Sequence, residues 1–226
     1  MRPISVAIDG PAGAGKSTVA RQVAEHLHLT YVDTGAMYRA VTFEALRLDV
    51  DVTDEGAVAR LAKHMDIALK PSKGEVDVFV NGRQVTRDIR TPEVTSHVSA
   101  VAGNPQVRKI LVKKQREMGK NGGVVMDGRD IGTHVLPDAE LKVFLTASID
   151  ERAQRRYEEL VRKGYRVDWD QLKEEIRLRD EKDQNRKHSP LKPAEDAIHL
   201  DTTGRSVPEV VQAILELSRT KVGGGE

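Results

Sequence analysis

Residues Ile4 to Thr18 read ISVAIDGPAGAGKST, an apolar run followed by a glycine-rich turn that ends in Gly15-Lys16-Ser17. The turn fits G-x-x-x-x-G-K-[ST]. Along Gly10-Pro11-Ala12-Gly13-Ala14-Gly15-Lys16-Ser17-Thr18, the three glycines permit backbone angles closed to other residues, so successive amide N–H groups can curl around a phosphate. A helix that starts at Lys16 would aim its unpaired N–H groups and positive dipole end into the same cradle. Lys16 can add a charge at the β/γ-phosphates, and the Ser17 hydroxyl can serve Mg²⁺. A glycine turn with an exposed lysine is the plainer alternative, but strand, spacing and helix are all present.

A phosphate loop alone serves a GTPase, a motor, a transporter ATPase or a small-molecule kinase. The nearest candidate for the base-reading N-K-x-D segment of GTPases, Asn185-Arg186-Lys187-His188, lacks the aspartate and follows a helix. The chain offers instead arginines at loop and helix positions: Arg39 beside Tyr38, Arg108 after Pro105, Arg129 after a strand, Arg152, Arg155 and Arg156 on one helix, and Arg179 and Arg186 on another. The planar guanidinium gives phosphate two parallel bonds and stays charged. Any single one of them is more often a solvated face. Arg179, Asp183 and Arg186, four and three apart, share one helix face that can meet a polar ligand; an internal salt-bridge row fits the same spacing.

These residues sit in a chain of 226 with 36 basic and 35 acidic side chains, long enough for one sizeable core. The charge balance points to neither a nucleic-acid polymer nor an anionic membrane. The sequence contains no cysteine, which removes disulfides, zinc–thiolate sites and thiol catalysis and suits a reducing compartment, with the cytoplasm as the default. No apolar run is long enough to span a membrane, and the N-terminal apolar stretch reads as a strand rather than a signal peptide.

The positioning elements follow from period and caps. A helix runs from Lys16 to about His26, with His26 and His28 on the surface, and a strand covers Leu29 to Val32. Asp33-Thr34-Gly35 breaks it, with Thr34 capping a helix that carries Met37, Tyr38 and Val41; Asp54 caps the next. Val76, Val78 and Val80 alternate with polar or outward residues before an Asn81-Gly82 hairpin turn into Arg83 to Thr86, a small antiparallel insert. Thr91-Pro92 and Asn104-Pro105 open helices to about Val101 and Gly119. Gly123 to Asp127 and Leu141 to Leu145 are buried strands. Ser148 caps a helix, with Glu151 as the other half of a capping box and Gly164 at its end. Asp168 caps a helix to about Arg186, Ile198 to Asp201 is the last strand, Val207 to Leu217 the last helix, and Gly223 to Gly225 a fraying tail. Strands alternating with helices imply an α/β fold: a parallel five-stranded sheet flanked by helices, with its ligand crevice at the carboxyl ends of the strands. The phosphate loop, Asp33-Thr34-Gly35, Asp127-Gly128-Arg129-Asp130 and Asp201-Thr202 all follow strands and are expected to meet there.

Taken with Asp33-Thr34-Gly35-Ala36-Met37-Tyr38-Arg39, Asp127-Gly128-Arg129-Asp130-Ile131-Gly132-Thr133 and Arg179-Asp180-Glu181-Lys182-Asp183-Gln184-Asn185-Arg186, the phosphate loop resembles bacterial cytidylate kinases nearly end to end. The resemblance implies a P-loop kinase that moves the γ-phosphate of ATP, with Mg²⁺, to CMP or dCMP. It implies core segments 1–33, 123–156 and 171–226, a monophosphate-binding region 34–122 with its insert at about 67–90, and a short lid at 157–170. It assigns Tyr38, Arg39 and Arg129 to the monophosphate end, Ser99, Arg108 and Asp130 to cytosine, and Arg179, Asp183 and Arg186 to the ribose and transferring phosphates. Asp33, Thr34 and Asp127 join the acceptor side; Arg152 and Arg156 join the phosphate loop on the ATP side, and Ser17 is the metal ligand. Two positions depart: Thr34 stands where some members have Ser, keeping the hydroxyl, and Ser17 where some have Gly or Thr. Asp33 could orient acceptor or metal water, but a turn role at a strand end suits it equally. Kinases of the same fold for AMP, UMP or shikimate, and a nucleotide-dependent switch, are the rivals; a monomer is expected.

Because phosphoryl transfer needs positive charge more than a nucleophile, Lys16→Ala should lose most turnover while keeping its far-ultraviolet circular dichroism. Near wild-type turnover in purified Lys16→Ala would remove the phosphate loop from the chemistry.

Overall fold

The computed structural model describes residues 3–72 and 75–223. Strand β1 (Ser5–Asp9) is buried along its whole length, and its alternating side chains feed two different cores. Val6 and Ile8 pack with α1 (Lys16–Leu27) and α8 (Val207–Gly223), whereas Ala7 packs on the opposite face with Val32, Met126 and Ile131. A strand covered on both faces reads as a continuous apolar run, as this one does.

Around β1 lie β2 (Thr30–Asp33), β6 (Val124–Gly128), β7 (Leu141–Thr146) and β8 (Ile198–Asp201), in the order β2-β6-β1-β7-β8. Every neighbouring pair is parallel, so the expected five-stranded parallel sheet is present. Parallel pairing puts all five carboxyl ends on one edge. The register sets Asp33 beside Asp127 and Asp9 beside Gly128.

Between β2 and β6 the chain leaves the sheet and builds a core of its own from α2 (Thr34–Arg47), α3 (Glu55–His64), β3 (Ile67–Ser72), β4 (Glu75–Val80), β5 (Arg83–Gln84), α4 (Pro92–Gly103) and α5 (Pro105–Gly119). Met37, Val41, Val58, Val78, Ile89 and Leu111 are among its buried members. The insert is a three-stranded antiparallel sheet, β3-β4-β5. Its first strand, β3, has no counterpart in the sequence reading: Pro71 obscures the pattern, but on an edge strand facing only β4 a proline is tolerated. After Gln84 the expected strand gives way to single contacts, with Thr86 Oγ1 accepting from Val78 N. Two further helices, α6 (Ile149–Arg162) and α7 (Trp169–Gln184), close over a small cluster of Ala153, Leu172 and Ile176.

Four local expectations change. The cap of α2 is Asp33, whose carboxylate accepts from Ala36 N at 2.8 Å; Thr34 is the first helical residue, and its hydroxyl donates to the Asp127 carbonyl at 2.6 Å. Ser148 caps α6, but the capping box is half-made. The Ser148 amide donates to Thr203 Oγ1, and the Glu151 carboxylate accepts from Arg155 instead. Gly223 belongs to α8 rather than to a fraying tail, and the rest of that tail lies outside the described residues. Helix α8 thus outruns Leu217 by more than a turn, and α7 stops at Gln184, short of Arg186.

Candidate active site

The phosphate loop leaves β1 at Gly10, whose φ is +149° and whose pro-side-chain position lies 2.1 Å from the Leu145 carbonyl oxygen, so only glycine fits. Gly13, at φ +78°, sits against Cβ of Arg152. Helix α1 has Gly15 at its N-cap and no side-chain cap, which leaves its first amides for an anion. Lys16 is buried and bends back to donate to the Pro11 carbonyl at 2.7 Å. Burial first, and then the Arg129 charge, push its ammonium below the usual lysine range. Arg152 braces the loop from α6: it donates to the Ala12 carbonyl at 3.1 Å and pairs with Asp180 at 2.6 Å. Arg155 approaches Gly15 and donates to Thr202. Arg156 pairs with Glu159 on its own helix. Thr18 is exposed on the first turn of α1.

Ser17, next in the loop, donates its hydroxyl to Asp127 at 2.9 Å, and Tyr31 donates to the other oxygen of the same carboxylate at 2.8 Å. Burial, then the neighbouring Asp33, push Asp127 above the usual carboxylate range. Asp33 itself caps α2 and meets Arg90 at 3.6 Å. Ser17 and Asp127 therefore present two hard oxygen donors beside the lysine, the donor set that suits Mg²⁺, which takes one or two protein oxygens and completes its shell with phosphates and water.

The arginines converge on a single carboxylate. Asp183, 1% exposed, accepts from Arg129 Nε at 2.9 Å and pairs through its other oxygen with Arg186. Arg179 is half-buried, and its Nε has no hydrogen-bond partner among the described residues. Burial, then Arg129 and Arg39, push it down to about 9. Arg39, held by Thr95 Oγ1 at 2.8 Å, is pushed down to about 10, mainly by burial. Four guanidinium groups feel one another across a space where Asp183 supplies the neutralising charge. Such a cluster is built for a polyanion.

Arg108 and Asp130 form a buried ion pair, and the Arg108 guanidinium lies 5.4 Å from the centre of the Tyr38 ring. Tyr38 thus stands with Arg108 and Asp130. Ser99 lies half-buried on α4, whose Ala102 carbonyl accepts from Arg108 at 3.0 Å; the Ser99 hydroxyl makes no hydrogen bond among the described residues. A cavity of about 620 Å³ lined by Arg108, Lys109, Arg116, His134 and His188 opens behind this group. It touches no phosphate-loop residue.

A family model described as cytidylate kinase matches residues 6–220. The chain belongs to the cytidylate kinase family. It is 56% identical to a cytidylate kinase of Anoxybacillus flavithermus over 99% of both chains. It is 55% identical to that of Bacillus subtilis over 97% of this chain and 98% of the other. The crystal structure of an uncharacterized protein from Eubacterium ventriosum, 14% identical, superposes with a TM-score of 0.51 over 95% of this chain and 97% of that one, a likeness of fold alone. As a family member this protein is an enzyme, a nucleoside monophosphate kinase.

Several residues of this kinase site escaped the sequence reading. Tyr31 and Asp180 hold the partners already named. Asp9 holds the turn after β6: its two carboxylate oxygens accept from the amides of Ile131 and Gly132, at 2.8 Å each, and so set where Arg129 and Asp130 stand. The one local signal was a carboxylate at the end of a buried strand.

Burial pushes the Asp9 carboxyl up to about 6, against the pull of those two amides. An acid whose folded pKa is raised loses stabilisation as pH rises from its unfolded value through its folded one. Across pH 4 to 6, the unfolding free energy of ligand-free Asp9→Asn should therefore gain on the wild type by up to about 3 kcal/mol, and level off above. Denaturant titrations at each pH measure this. A difference that does not change with pH would mean that Asp9 titrates normally.

Proposed function

We propose that this enzyme transfers the γ-phosphoryl group of ATP to CMP and dCMP, releasing ADP with CDP or dCDP. The observation that carries the reading is the cluster of Arg129, Arg179 and Arg186 around Asp183, with Arg39 beside Arg179, near Lys16 on one side and the Arg108–Asp130 pair on the other. ATP would lie with its phosphates on the loop and Lys16, and the acceptor with its monophosphate among the arginines. An acceptor phosphate oxygen attacks the γ-phosphorus while the bond to the β-bridging oxygen breaks. Because the attacking oxygen is already anionic, the residues need only position the groups and meet the charge spread over the equatorial oxygens. Ser17 and Asp127 would hold Mg²⁺, which when bound neutralises charge on the β/γ-phosphates. Lys16, released from the Pro11 carbonyl, and Arg129, Arg179 and Arg186 supply the rest.

The proposal extends to organisation. Residues 34–122 bind the acceptor, with the insert within 67–90, while 1–33, 123–156 and 171–226 form the core. Asp33, Thr34, Tyr38, Arg39, Ser99, Arg108, Asp127, Arg129, Asp130, Arg179, Asp183 and Arg186 serve the acceptor and the transferring group; Arg152 and Arg156 serve the ATP side. The enzyme works on small nucleotides as a cytoplasmic monomer, without a membrane or a nucleic-acid polymer as partner.

Residues 157–170 act as the lid. Tyr157 and Trp169 meet edge to face at its base, whereas Val161 and Tyr165 are 47% and 43% exposed around Gly164, whose φ is +83°. Closure would exclude water from the transferring phosphoryl. Amide exchange at 161–166 should slow when both nucleotides bind; unchanged exchange there would reject a lid.

Cytosine donates through its exocyclic amine and accepts at N3 and O2, so Asp130 can face the amine, with Arg108 and Ser99 facing the acceptors. Uracil presents the opposite pattern at two of the three positions, a mismatch of roughly 1–3 kcal/mol each, or about ten- to a hundredfold in rate. Asp130→Asn should lower kcat/KM for CMP and narrow its lead over UMP. An ADP-release assay with CMP, dCMP, UMP and AMP on wild type and variant decides this. An unchanged CMP/UMP ratio would mean that Asp130 only pairs with Arg108, and a wild type that prefers AMP or UMP would overturn CMP as acceptor.

A further inference from the structure

Three polar atoms of the acceptor region are buried without a hydrogen-bond partner among the described residues: Tyr38 Oη, Arg108 Nε and Gln115 Nε2. They belong to one neighbourhood. Arg108 lies over the Tyr38 ring, and Arg108, Leu111 and Gln115 are three and four apart on α5, so they share the helix face turned inward. Gln115 is 1% exposed and has no role in the acceptor site as described. A buried donor left unpaired lowers stability, and such a group in a folded protein asks for an explanation. Burial pushes the Tyr38 hydroxyl up to about 12, and the Gln115 amide is among the groups pulling the other way, as an N–H turned towards the phenol oxygen does.

A phenol carries one O–H and can also accept. If an amide N–H occupies the accepting side of Oη, the single O–H has to point elsewhere, away from Gln115. We propose that Gln115 is a positioning residue for the acceptor nucleotide: its Nε2 donates to Tyr38 Oη when the acceptor binds, and this turns the Tyr38 O–H towards a polar atom of that acceptor. The inference rests on the reading of Tyr38 as an acceptor-facing residue given above. In the ligand-free protein the bond is not made, so the amide sits buried and unsatisfied until the acceptor region closes. Gln115 acts through Tyr38 and touches no reacting atom.

The test uses Gln115→Met, which keeps the side-chain length and apolar volume while removing the amide, together with Tyr38→Phe and the double variant. For each, the Kd of CMP is measured by calorimetry, the KM of ATP by the ADP-release assay, and the melting temperature without ligand. Gln115→Met should weaken CMP about five- to tenfold, the scale of one lost hydrogen bond. It should leave the KM of ATP alone and melt no lower than wild type, because an unpaired buried donor has been removed. In the double variant CMP should bind no worse than in Tyr38→Phe, since both changes break one chain of bonds. If Tyr38→Phe weakens CMP but Gln115→Met does not, the positioning role is overturned while Tyr38 keeps its acceptor role. If neither weakens CMP, the acceptor reading of Tyr38 falls, and this inference with it. A lower melting temperature with additive losses in the double variant would make Gln115 a structural residue only, and would also overturn the inference.

Discussion

Positive charge in excess of what the protein itself neutralises is the constraint on which the rest of this structure depends. Arg129 and Arg186 grip Asp183, and Arg129 and Arg39 lie close enough to Arg179 to lower its proton affinity. Guanidinium groups repel across such distances in a medium of low dielectric, and only a rigid frame can hold them together without a counter-ion. Here the frame is supplied by different elements: α2 for Arg39, the turn after β6 for Arg129, α7 for Arg179 and the residue just past its end for Arg186. Electrostatic stabilisation of a developing phosphoryl charge draws its strength from this kind of preorganisation.

Carboxylates set the geometry that the cations occupy. Asp9 and Asp33 end parallel strands and Asp127 stands one residue before the end of another, and each is spent on a different partner: the amides of Ile131 and Gly132, the first turn of α2, and the hydroxyls of Ser17 and Tyr31. Burying three acids in one edge is costly, and the raised proton affinity of Asp9 and Asp127 records that cost. Their hydrogen bonds lock the phosphate loop, the acceptor helix and the Arg129-Asp130 turn onto a common sheet, so a shift in one loop is felt by the others.

The segment between β2 and β6 forms a second hydrophobic core rather than a loop excursion. It meets the core of the parallel sheet through apolar contacts, with Leu69 packed against both and Val112 of α5 packed on the face of Val32 and Met126, and such packed interiors resist continuous distortion. The buried polar atoms without a hydrogen-bond partner among the described residues fall in two places: Tyr38, Arg108 and Gln115 in one, and Arg179 and Asp180 beside the phosphate loop in the other.

Much of this was legible in the residues themselves. The turn from Gly10 to Ser17 declares its chemistry because glycine and lysine spacing is local, and the five strands and most helices announce themselves through period and through caps such as Asp54, Asn104 and Asp168. The family motifs likewise lie within short windows. What the tertiary structure alone decided is the pairing. Ser17 finds Asp127 from 110 residues away, Asp9 finds Gly132 from 123, and Arg129 finds Asp183 from 54. Nothing local distinguishes Arg155, which reaches Thr202, from Arg156, which stays on its own helix. Nor does composition say whether Asp33 or Thr34 caps α2, because both can accept the bond and only the direction in which β2 delivers the chain selects Asp33. Periodicity and caps are set by neighbours in sequence; the partner of a charge is set by which strand ends share an edge.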